Sequence, residues 1–69
     1  MDRVKSNSLQ ETFHSLPMGD KFILVGNSNL EPYLKELRNE YKSIVEYEYL
    51  IEGPDEWEAV VSKKYYNFI

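Results

Sequence analysis

The apolar positions of this chain change period along its length, and each change marks an element. From Ser43 to Ile51 they alternate. Val45, Tyr47, Tyr49 and Ile51 fall on one side, and Ile44, Glu46, Glu48, Leu50 and Glu52 on the other. A period of two is the pattern of a strand with one buried face. After the turn residues Gly53-Pro54-Asp55 the alternation resumes, with Trp57, Ala59 and Val61 opposite Glu56, Glu58 and Val60. The two segments therefore predict a β-hairpin.

Upstream the period lengthens. Ser8-Leu9-Gln10-Glu11 has the S-x-x-E form of a capping box, and Leu9, Phe13 and Leu16 follow at helical spacing until Pro17. This predicts a short helix over about 9–16. Pro17 to Asp20 reads as a turn, and KFILV after it as a strand ending at Gly26. Leu30, Leu34, Leu37 and Tyr41 then form one stripe, with Pro32 in the first turn and cap oxygens available from Ser28 or Asn29. A second helix is expected over about 30–42, with Glu31 and Lys35 as a supporting i, i+4 pair. The order helix, strand, helix, strand, strand predicts an α+β, two-layer α/β sandwich: a three-stranded sheet with a C-terminal β-hairpin, and both helices on one face. The first strand, long helix and second strand are expected to form a right-handed crossover. Residues 1–69 make a single domain. Residues 1–7 precede the first predicted element and are open to disorder, and the role of the tail, 64–69, stays open.

Parity constrains the hairpin. A slip of one residue sends Glu58 into the core beside Tyr49 and leaves Trp57 in water, so paired residue numbers should sum to an even value. A three- or five-residue loop satisfies this, with Glu52 opposite Glu56 or Ile51 opposite Trp57. Glu46, Glu48, Glu52, Glu56 and Glu58 then emerge on one face, and Asp55 adds its charge at the tip.

Composition sharpens the picture. The chain has 69 residues and no cysteine, which excludes disulfides and thiolate metal sites. A domain of this size buries only about 60% of its unfolded surface, so a homodimer is expected as the source of extra buried area. The amino end, MDRVKSNSLQ, is charged and polar, and the longest apolar run, Phe22 to Val25, has four residues. No signal peptide or membrane span is expected, and the cytoplasm is the expected compartment. The net charge is −4, yet Ser43 to Ser62 holds six carboxylates and no Lys or Arg. Direct nucleic-acid binding, which draws on clustered cations, is therefore not expected, and a Lys/Arg-rich protein partner is.

Catalytic chemistry finds little support. His14 has no acid or nucleophile nearby in sequence, and the Gly26-Asn27-Ser28-Asn29 loop lacks both G-x-G-x-x-G and the Walker lysine. The acids alternate along extended chain instead of folding round a point, so no metal site is expected. Tyr47, Tyr49 and Trp57 lie on the face the helices cover, so they read as core and not as a base-stacking platform. No enzymatic activity and no cofactor are expected.

The acidic face remains. Ile44, Leu50 and Val60 sit among its glutamates, with one side of KFILV available to join them, as apolar contact or dimer interface. Side chains two apart on a strand repeat at about 6.8 Å, twice the roughly 3.4 Å charge spacing of one DNA strand. A glutamate-studded hairpin in a short, cysteine-free, acidic chain, here EYEYLIEGPDEWE, resembles the small phage-encoded DNA mimics that occupy the nucleic-acid site of basic host proteins. That resemblance implies a non-enzymatic inhibitor of an HU-type nucleoid protein or a DNA-processing enzyme, with Glu46, Glu48, Glu52, Asp55, Glu56 and Glu58 binding the partner. The alternative is a small regulatory interaction module acting through an exposed sheet edge or the C-terminal tail, independent of charge.

Overall fold

Leu9 and Phe13 from one helix and Leu30, Leu34 and Leu37 from the start and face of another meet Phe22, Leu24, Val45, Ala59 and Val61 of the sheet in a single buried core. These contacts come from a computed structural model that describes residues 1–64. The elements are β1 (Arg3–Lys5), α1 (Leu9–Ser15), β2 (Lys21–Gly26), α2 (Glu31–Tyr41), β3 (Val45–Glu52) and β4 (Trp57–Lys63). Short 3-10 turns at Ser6–Ser8 and Lys42–Ile44 lead into α1 and β3. Among the described residues no helix is long and apolar enough to cross a membrane.

The α+β class and the covering of one sheet face by both helices match the apolar periods. The strand count does not. Among the described residues four strands lie in the order β1-β2-β4-β3, because Arg3–Lys5, expected to precede the ordered unit, pairs in parallel with β2. Its single apolar residue, Val4, packs on the core, and the Ile23 N–H donates to the Asp2 carbonyl at 2.8 Å. Three residues are too few to show a period, so the strand exists because the open edge of β2 supplies its partners. β4 is antiparallel to both β2 and β3, so β2 and β3 run parallel with β4 inserted between them. The expected crossover from first to second strand is therefore split by the last one.

The helices differ in how their ends are satisfied. At α2 the N-cap is Leu30, not Ser28 or Asn29, and it has no capping side chain; Asn29, one residue earlier, accepts the Glu31 N–H on its Oδ1 at 2.9 Å. At α1 the capping box does not close: Ser8 makes no side-chain cap bond. That helix is held at its other end, where Lys63 Nζ donates to the carbonyls of Leu16, Phe13 and His14 at 2.8, 2.9 and 3.3 Å. A cation there complements the negative end of the helix dipole and ties α1 to β4.

Register in the hairpin follows even parity only part of the way. Val45↔Lys63, Tyr47↔Val61 and Tyr49↔Ala59 obey it, but Ile51 pairs with Glu58 and Glu52 with Trp57 across a bulge at Leu50. The loop has four residues, 53–56, closed by the Gly53 N–H donating to the Glu56 carbonyl at 2.8 Å. Neither expected pairing, Glu52 with Glu56 or Ile51 with Trp57, forms. An extra residue on one strand absorbs the odd loop, so Tyr49 and Trp57 both stay on the helix side while the residues between them change faces.

Candidate functional site

Partners in register share a face of the sheet, which allows the uncovered side to be read as rows across the strands. The central row is Arg3, Ile23, Val60, Glu48. On one side of it lies Lys21, Ser62, Glu46, and on the other Lys5, Val25, Glu58, Ile51. Ile23, Val25, Ile51 and Val60 are half-buried with no helix over them, and Leu50, thrown out by the bulge, is 54% exposed. Open hollows of about 420 Å³ and 470 Å³ flank the central row, one beside Lys21, Glu48 and Leu50, the other beside Arg3, Lys5, Val25 and Glu58.

This surface differs from the anionic plate that parity predicts. Glu58 is only 8% exposed and accepts a charge-assisted hydrogen bond from the Arg3 guanidinium, 55 residues away in sequence. Burial of a carboxylate requires such a partner. Glu46 pairs with Lys64 at 3.2 Å. Glu52 follows Trp57 to the helix side, where its charge helps raise the Tyr49 hydroxyl pKa. Ile44 lies in a 3-10 turn packed against the core and does not join the outer face. Glu48, Asp55 and Glu56 are exposed, and no side-chain hydrogen bond or ion pair occupies them among the described residues. Leu50 and Val60 do share the outer side of the hairpin. Arg3, Lys5 and Lys21, which sequence reasoning left out, put three cations on the same face as Glu46, Glu48 and Glu58. The alternation Arg3-Val4-Lys5 is the local signal for two of them.

The helix side holds a separate polar cluster. Glu31, in the first turn of α2, accepts hydrogen bonds from Tyr49 Oη and, at 3.0 Å, from Tyr47 Oη. These bonds, the Tyr49 one foremost, hold the Glu31 carboxyl below its ordinary value. Desolvation, reinforced by Glu31, pushes both tyrosines up. Arg38 lies over the Tyr47 ring at 4.6 Å from its centroid, and Tyr49 meets Trp57 edge to face at 6.0 Å. The cluster docks α2 on β3 and leaves no hydroxyl idle for chemistry. His14 Nδ1 lies 3.3 Å from Tyr41 Oη. Among the described residues no three of His, Asp and Glu converge where they would hold a metal ion.

Comparison with known proteins gives no match to any family model, curated protein or solved structure.

Proposed function

We propose that this protein is a non-enzymatic interaction module that receives a protein partner on the open face of its sheet and the adjoining β3 edge. The observation that carries the reading is the row Arg3, Ile23, Val60, Glu48: apolar at its centre, charged at both ends and covered by none of the described residues. Such a mixture of exposed apolar area and paired charge is typical of contact surfaces. β3, an eight-residue strand paired on one side only among the described residues, borders the same face. Its Glu46, Glu48 and bulge discourage indiscriminate strand addition.

The geometry supports this module better than mimicry of DNA by charge alone. Arg3 and Lys64 already hold two of the six acids, and a third lies on the opposite side of the sheet. What remains for a basic partner is Glu48 with Asp55 and Glu56 at the tip. Affinity capture from the source cell's lysate at low and high salt, with wild type and Val60→Asp, separates the two readings. A partner retained at high salt and lost in Val60→Asp supports the open face. A partner released by salt, and lost when Glu48, Asp55 and Glu56 are changed to their amides, supports charge mimicry instead.

A further inference from the structure

We propose that the occupant of the open face is a second copy of this chain, packed sheet on sheet about a two-fold axis that runs along the strands. The inference rests on the reading of that face as a contact surface and names what fills it. The central row is antisymmetric: cation, apolar, apolar, anion across β1, β2, β4 and β3. A two-fold axis along the strands, passing between Ile23 and Val60, reverses the row. Ile23 of each copy then lies over Val60 of the other, Arg3 over Glu48, and Glu48 over Arg3. In the neighbouring row Lys21 lies over Ser62 of the second copy, one strand from its Glu46, and in the third row Lys5 lies over Ile51 and Val25 over Glu58, which Arg3 already neutralises. A two-fold axis across the strands instead sets Arg3 on Arg3 and Glu48 on Glu48, so the charges select one packing. Arg3 remains able to serve both acids, because its side chain is 55% exposed while bonded to Glu58 and a guanidinium has five donors.

Area is sufficient for a reversible pair. Four strands about 4.8 Å apart and some six residues long present about 400 Å² of sheet. With side-chain relief, two such faces about 10 Å apart bury roughly 1,000 Å² in total, near the lower bound for a specific interface. A face of this kind supports a dimer that dissociates on dilution.

Sedimentation equilibrium of the full chain over a dilution series tests the proposal. Wild type should pass from dimer to monomer, and Val60→Asp and Ile23→Lys should each weaken the dimer on the order of 100-fold. Mixing the two variants should restore it, since the carboxylate introduced at position 60 of one copy then faces the ammonium introduced at position 23 of the other. Glu48→Arg, at an exposed position that leaves the core intact, should also weaken it. Circular dichroism of each variant checks that the fold is retained. A wild-type monomer at every concentration, a dimer indifferent to Val60→Asp and Glu48→Arg, or no recovery on mixing would each overturn the proposal. The capture experiment remains independent: a monomeric wild type that still loses its partner in Val60→Asp leaves the open face as a contact surface and removes only the second copy.

Discussion

Gly53 shows how one residue fixes the end of the hairpin. Its φ of 63° lies in the left-handed region, and a Cβ there would sit 2.7 Å from the Trp57 ring. Both facts require glycine. Gly53→Ala is expected to destabilise the fold by about 1–3 kcal/mol, read as a lower midpoint in urea. Glu31 is the residue through which pH acts on the acid side. Its folded-state pKa is lowered by the Tyr49 and Tyr47 hydroxyls, so its contribution is present above the unfolded value of 4.5 and is lost as pH falls below that through the folded value. Thermal midpoints of wild type should therefore fall below pH 4.5 more steeply than those of Glu31→Gln. At the alkaline end the sign reverses. Tyr49 is raised above its ordinary value of 10.0, so its contribution is intact below that pH and declines above it. Neither hydrogen bond is legible in the sequence, where Glu31 pairs with Lys35 along the helix and the tyrosines read as plain core.

Among the elements, α1 depends most on a distant group. Seven residues make a marginal helix, and its N-cap side chain is unused. Three hydrogen bonds from Lys63 Nζ satisfy its last carbonyls. Lys63→Met keeps the apolar stem and removes those bonds. A loss of about 1–2 kcal/mol is expected in chemical denaturation, with faster amide exchange confined to α1. The S-x-x-E pattern that announces this helix points to the wrong end as its anchor. In β3 the alternation correctly places Val45, Tyr47 and Tyr49 inward and Glu46 and Glu48 outward. It fails beyond Leu50, since a bulge leaves no mark on a pattern that continues to alternate residue by residue.

For the whole molecule, the decisive feature is a sheet clothed on one side. Its helix face collects the buried apolar residues of five elements, and its other face holds a charge-balanced, partly apolar field that none of the described residues covers. Both proposals belong to this scale, and both are read at Val60, which lies at the centre of the open face and outside the buried core.

The sequence by itself determined the two helices, the period of β3 as far as Tyr49 and the inward set of Val45, Tyr47, Tyr49, Ala59 and Val61, because the side-chain period of a regular element is a local property of consecutive residues. Only the tertiary structure decided that Arg3–Lys5 becomes a strand, that β4 separates β2 from β3, and that Arg3 reaches Glu58. Those outcomes depend on which edges and charges meet across tens of residues, and a local period carries no record of that.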